Sequence, residues 1–223
     1  MDNNLPKRTH TVILLHGIAR TSRSMKKLER TLFGAGFDVL NIDYPSRKYN
    51  IATLATHIYK QIDTYQQNVT TLHFVTHSMG GLIVRELLSH YPLPNVGRIV
   101  MVAPPNHGSE VADFLKNNIL FKLFYGPAGQ ELITAASHAD IPTAIHYELG
   151  IIAGNKGFDP VCHFLLPKPH DGKVTVESTK YRLMKDHIIL PAEHSFIMNY
   201  QQVIHQVKYF LQEGKFLHPK KKK

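Results

Sequence analysis

The sequence predicts an α/β fold built on a mostly parallel sheet of about six strands. Two observations carry this. Short apolar runs alternate with segments of helical periodicity along nearly the whole chain, and that alternation implies right-handed crossovers between parallel strands covered on both faces. In addition, 223 residues of which 43% are hydrophobic and 19% charged suffice for one domain with a sizeable core. No internal repeat interrupts the pattern.

The elements follow in order. "TVILLH" (11–16) reads as a buried strand, and "SMKKLERTLFGAG" (24–36) as a helix with Met25, Leu28, Leu32 and Phe33 on one face and glycines at its end. "FDVLNIDY" (37–44) is a second strand, and "NIATLATHIYKQIDTY" (50–65) a second helix, with Ile51, Leu54, Ala55, Ile58 and Ile62 at helical spacing. "TLHFVTH" (71–77) and "GRIVMVAP" (97–104) are strands flanking the helix "MGGLIVRELLSHY" (79–91). "TAIHYELGIIAG" (143–154) and "HIILP" (187–191) are the last strands, and "FIMNYQQVIHQVKYFLQ" (196–212) closes the chain as an amphipathic helix. Between the fourth and fifth strands, residues 105–142 form an insertion too long for a simple loop. It is expected to fold as a small helical cap over the carboxyl edge of the sheet. Its segment "ILFKLFY" (119–125), apolar nearly all round, suits a helix docked on the core that also walls an acyl-chain pocket.

The net charge is +9. Part of it is the terminal Lys220–Lys223 run, read with residues 214–223 as a solvated basic tail. The rest leaves room for contact with an anionic membrane surface, while no nucleic-acid motif is present. The single cysteine, Cys162, excludes an internal disulfide. The first residues lack a signal-peptide pattern and no stretch approaches a membrane span, so a cytoplasmic protein is expected. "GAGFDV" (34–39) lacks the third glycine of a dinucleotide fingerprint, and no phosphate-binding loop, H-E-x-x-H or C-x-x-C occurs, so no cofactor and no metal is expected. His73 and His77, four apart on a strand, share a face but are too far apart to pair as ligands.

The chemistry gathers at strand ends. Ser78 follows the third strand and opens a helix, where a strained turn projects a hydroxyl away from a sheet. The motif there is T-H-S-M-G, not the usual G-x-S-x-G. Gly80 and Gly81 give the space needed on the helix side. Thr76, β-branched but small, is expected to widen the turn slightly without abolishing it. "LLHG" ends the first strand, so the Ile18 amide and the Met79 amide at the helix N-terminus are candidate oxyanion donors. A general base is expected late in the chain. His194, after the last strand, fits better than His187 at that strand's start, and His77 and His107 are read as supporting the site from behind or lining the cleft at most. For the acid, Asp171 in "PHDGKVTVEST", Glu177 in the same segment, and Asp159 in "FDP" remain open on position alone.

These segments, with "DYPSR" (43–47), "APPNHGSEVADFL" (103–115) and "GPAGQEL" (126–132), resemble the α/β-hydrolase superfamily, and within it the lipase-like bacterial serine esterases. The resemblance spans nearly the whole chain in the right order. It implies a Ser-His-Asp triad of Ser78, His194 and Asp171, with the Ile18 and Met79 amides as oxyanion hole. "DGKVTVES" resembles the family's acid loop and places Asp171 above Asp159. The implied activity is cleavage of carboxylic esters with hydrophobic acyl groups through an acyl-enzyme. A thioesterase, phospholipase or acyltransferase would keep the same triad, and a non-catalytic binding protein would keep only the scaffold. Ten residues precede the first strand, too few for the two antiparallel strands of larger members, so a reduced sheet is expected, as in small lipases.

Overall fold

The computed structural model describes residues 10–66, 70–91, 93, 95–136, 138–143, 146–157 and 166–219. Among them, strands β1 (His10–Leu15), β2 (Asp38–Ile42), β3 (Thr71–His77), β4 (Val96–Val102), β5 (Glu148–Gly154) and β6 (Asp186–Leu190) form one sheet in the order β2-β1-β3-β4-β5-β6. Every pairing is parallel. The chain steps from β1 outward to β2, then returns past β1 to β3. The carboxyl ends of β1 and β3 therefore flank the point where strand order reverses, the place where an open parallel sheet leaves a crevice.

Each strand alternates its side chains between two cores, as a sheet buried on both faces requires. Ile13, Leu15, Phe74, Ile99, Met101 and Ile151 face one side, where they meet α2 (Ile51–Gln66) and α3 (Met79–His90). Val12, Leu14, Val75, Val100, Val102 and Ile152 face the other, against α1 (Lys26–Gly34) and the C-terminal helix. Leu28 and Leu32 of α1 and Ile51, Leu54, Ala55, Ile58 and Ile62 of α2 are buried, which is why those stretches fold as helices; Phe33, expected on the same face, is 56% exposed.

Several boundaries differ from the sequence pattern. β5 begins at Glu148, not at Thr143, because its ladder with β4 starts at the Arg98–Glu148 pair. Residues 194–199 form a 3-10 turn, and the last helix starts only at Gln201. The insertion contains α4 (Glu110–Leu115) and α5 (Ile119–Gln130), the latter kinked where Gly126 leaves helical geometry ahead of Pro127. A short α6 (Val176–Thr179) precedes β6, and α7 (Gln201–Glu213) ends at a left-handed Gly214. Residues 214–219, read above as the start of a tail, fold back instead. Phe216 packs on Phe210, and the Leu217 backbone exchanges two hydrogen bonds of 2.8 Å with the Gln206 side chain. Cys162 and Lys220–Lys223 lie outside the described residues.

At Gly150 of β5, a Cβ atom would lie 2.5 Å from the Phe210 ring and 2.7 Å from Phe216. Gly150→Ala is therefore expected to lower stability by about 1–3 kcal/mol through overpacking, measurable by denaturant unfolding. On β3, burial, with help from His10 and Arg98, brings the His73 pKa down to about 4. Its Nδ1 accepts the Arg98 amide at 2.9 Å, a bond made by the neutral ring. Below about pH 6.5 the unfolded chain takes up this proton before the folded one does. This contribution to stability is thus full above about pH 6.5 and is lost as pH falls toward about 4. His73→Asn is expected to flatten the fall in Tm over that window. It will not remove the slope, because burial also lowers His16, His77, His138 and His187.

Candidate active site

Ser78 sits between β3 and α3 with φ 53° and ψ −124°. Positive φ is unusual for a residue with a Cβ, and such strain persists only where neighbours enforce it. Here the Ser78 amide donates to the Val102 carbonyl of β4 at 2.9 Å, and its carbonyl accepts from the Gly81 amide at 2.9 Å. A Cβ on Gly80 would come within 2.8 Å of the Leu15 carbonyl, so α3 starts hard against the end of β1. Thr76 is fully buried, 3.5 Å from where a Cβ on Gly81 would be. The elbow forms with threonine in this position.

The Ser78 hydroxyl lies 3.0 Å from His194 Nε2. His194 Nδ1 donates to Asp171 Oδ2 at 2.7 Å. The other oxygen of Asp171 accepts the Lys173 and Val174 amides at 3.0 and 2.9 Å. Asp171 is fully buried, and its two oxygens are satisfied by different segments, one by the amides of its own loop and the other by His194. The Asp171 carbonyl accepts the His194 amide at 2.9 Å, so acid loop and histidine loop are joined through backbone as well as side chains. Serine, histidine and aspartate thus form one continuous hydrogen-bonded chain, the arrangement that lets an imidazole take a proton from a hydroxyl and remain oriented.

The turn after β1 is fixed from several sides. The His16 ring donates to the Gly17 carbonyl at 2.9 Å and stacks on Tyr44 with centroids 4.0 Å apart. The Tyr44 hydroxyl donates to the His16 carbonyl, and burial pushes that phenol's pKa up. The Ala19 amide donates to Ser46 Oγ at 3.1 Å, and the Arg20 amide to Gly17 at 3.3 Å. The Ile18 amide is left without a partner among the described residues. The Met79 amide is in the first turn of α3 and has no acceptor within the helix. Gly17 is required here, since a Cβ would lie 2.8 Å from the His77 ring and 3.3 Å from Ser78 Cβ.

Ser78 and His194 open onto a cavity of about 90 Å³. Its walls include Leu115 of α4, Phe121 and Tyr125 of α5, and Leu132. Part of the cap reading changes with this. The outer side of α5 is not docked on the core: Leu120 and Leu123 are 72% and 74% exposed.

His77 both lines the cavity and supports the histidine loop: its Nε2 donates to the His194 carbonyl at 3.1 Å. Burial, with the nearby His194, holds its pKa well below the usual histidine value and keeps the ring neutral. Arg20 went unnoticed. Its guanidinium donates to the Ser195 carbonyl at 3.0 Å and lies 5.6 Å from the centre of the Phe196 ring, tying the β1 turn to the histidine loop. No periodicity marks such a contact; the only signal was its place just after "HGI". His107 is exposed and does not line the cavity. Glu177 points to solvent beside Lys180, His187 bonds Thr179 away from Ser78, and Asp159 lies outside the described residues.

Residues 2–147 match a family described as a domain of unknown function, DUF7379. The chain belongs to this family. No curated protein matches the chain in sequence. Among solved structures, this DUF7379 protein resembles the mature Bacillus licheniformis lipase BlEst2, at 19% identity and TM-score 0.70 over 95% of this chain and 94% of that one. The esterase EaEST from Exiguobacterium antarcticum is similar at 15% identity and TM-score 0.60, covering 92% of each chain. The phospholipase PlaB from Legionella pneumophila matches at 21% identity and TM-score 0.61 over 77% of this chain and 45% of that one. The DUF7379 protein therefore has the α/β-hydrolase fold of the small lipases, with a six-stranded parallel sheet.

The backbone at Ser78 is one that glycine adopts without strain. Ser78→Gly is expected to be more stable than Ser78→Ala by about 1 kcal/mol, a Tm difference of about 2–4 °C, because alanine keeps the Cβ. Equal melting temperatures would show that the elbow is not strained.

Proposed function

We propose that this protein hydrolyses carboxylic esters with hydrophobic acyl groups. The observation that carries the reading is the Ser78–His194–Asp171 chain, at 3.0 and 2.7 Å, opening onto a largely apolar cavity. Ser78 attacks the ester carbonyl while His194 Nε2 takes its proton. The same imidazole then protonates the leaving alcohol. Asp171 holds Nδ1–H and the positive charge that develops on the ring. The Ile18 and Met79 amides are assigned to the oxyanion, one from a braced turn and one from the positive end of a helix. Water activated by His194 then releases the acid from the acyl-enzyme.

The cavity supports the substrate class. Leu115, Phe121, Leu132 and Val174 offer an acyl chain an apolar wall; Arg20 and Lys173 also border the cavity, and the Arg20 guanidinium is engaged by the Ser195 carbonyl. Lipase and esterase neighbours of the same fold support the same reading. A thioesterase, phospholipase or acyltransferase would use identical groups, and adding an alcohol would reveal transfer in place of hydrolysis.

A fluorophosphonate probe is expected to label the wild-type protein and not Ser78→Ala. On p-nitrophenyl esters, Ser78→Ala should lose at least about 10⁴-fold in kcat, and Asp171→Asn a similar factor. kcat/KM should rise with acyl length, by up to about fourfold per methylene, until the cavity is filled. Labelling that survives Ser78→Ala would overturn the mechanism. No labelling at all would favour a binding protein on this scaffold.

A further inference from the structure

Helix α5 has two faces of opposite use. At about 100° per residue, Ile119, Leu120, Leu123 and Phe124 fall within an arc of about 140°, while Phe121 and Tyr125 lie on the other side. The inner pair lines the cavity beside Ser78. All four outer residues are more than half exposed, and Phe114 of α4 adds a fifth apolar side chain, 64% exposed. Isolated exposed apolar residues are ordinary, but five large ones on two consecutive short helices make a patch that asks for a partner.

Charge says which partner. From the start of α4 to Phe124 the charged side chains are Lys116 and Lys122, both exposed, and Glu110 and Asp113, both half-buried and accepting from Thr175 and Thr134. Along one side of the patch runs a surface groove of about 840 Å³, lined by Arg20, Arg47, Lys48, Leu123 and Phe124 among others, with Asp43 as its single acidic residue. The Arg47 guanidinium lies 5.2 Å from the Phe124 ring centre, which places a cation directly against the apolar surface. Among the described residues, Arg47, Lys48, Lys116 and Lys122 form no ion pair with a carboxylate. A second copy of this chain would bring like charges together across a two-fold axis. The patch is mostly aliphatic, which offers little to stack on a nucleic-acid base.

We infer that the outer face of α4 and α5 is a docking surface for an anionic phospholipid membrane. Ile119, Leu120, Leu123 and Phe124 enter the headgroup boundary, while Lys116, Lys122, Arg47 and Lys48 meet lipid phosphates. No helix among the described residues is long and apolar enough to cross a membrane. Docking would bring lipid to the helix whose inner side walls the cavity. The inference stands on exposure and charge, independently of the reaction at Ser78.

The test is flotation of the full chain with vesicles of phosphatidylcholine alone or mixed with phosphatidylglycerol. Binding should be at least about tenfold stronger to the anionic vesicles, since each basic residue near such a surface contributes roughly fivefold. It should collapse in about 1 M salt, where the Debye length is about 3 Å. Leu120→Ser/Leu123→Ser and Lys116→Glu/Lys122→Glu should each lose most binding, with circular dichroism and Tm unchanged to show that the fold is intact. Absence of binding to anionic vesicles overturns the proposal. So does binding that survives both double variants, or that disappears only when Lys220–Lys223 are removed. A wild-type dimer that these variants dissociate, with no vesicle binding, would assign the face to a second copy.

Discussion

The backbone of Ser78 has to stay in a conformation that residues with a Cβ avoid, and much of the surrounding structure is what holds it there. β4 holds it through the Val102 carbonyl, and α3 through the bond from Gly81. The end of β1 supplies a close wall that leaves no room for a side chain at Gly80. Three neighbouring elements of the sheet edge therefore meet at one residue. The strain and the reversal of strand order belong together, because only at the switch point do the ends of β1 and β3 lie side by side without a helix between them.

Around that point, buried polar groups act as cross-braces. His16 and Tyr44 join the ends of β1 and β2 by stacking and by the tyrosine hydroxyl. His77 reaches from β3 to the His194 carbonyl, and Arg20 reaches from the β1 turn to Ser195. Each contact links segments far apart in sequence. Neutral imidazoles suit these positions, because burial penalises the charged ring and the uncharged one still supplies a donor and an acceptor. The histidine richness of the chain thus has a structural component as well as a chemical one.

The insertion is anchored by one buried side chain on α3. Arg85 donates to the Asn106 carbonyl at its beginning and to the His138 and Ala139 carbonyls near its end, and its guanidinium lies 4.8 Å from the Tyr181 ring centre. The helix that starts at Ser78 therefore also gathers both ends of the segment that roofs the cavity. A second clamp ties the roof to the acid loop, through the Ser109 hydroxyl on the Lys173 carbonyl at 2.7 Å. Between these anchors α4 and α5 are held mainly by their inner residues, which leaves their outer side to solvent or to a partner.

The sequence by itself determined the layered α/β fold and the neighbourhood of the site. The first is legible because apolar periodicity marks each strand and helix locally, as in Val12–Leu15 and Ile51–Ile62. The second is legible because, in a parallel sheet, every strand's carboxyl end lies on one edge, so Gly17, Ser78 and His194 could be placed near one another without knowing any distance, while position left the acid open among Asp171, Glu177 and Asp159. What only the tertiary structure decided depends on contacts between distant segments. Asp171 is joined to His194 because two amides and an imidazole converge on its carboxylate, which no spacing reveals. β5 starts five residues later than its pattern suggested because its ladder with β4 begins only at the Arg98–Glu148 pair. Residues 214–219 dock because Asp186 and Gln206 satisfy their backbone amides. The outer face of α5 stays bare because its inner face alone meets the cavity: composition shows that a helix is apolar, but only packing decides which side is covered.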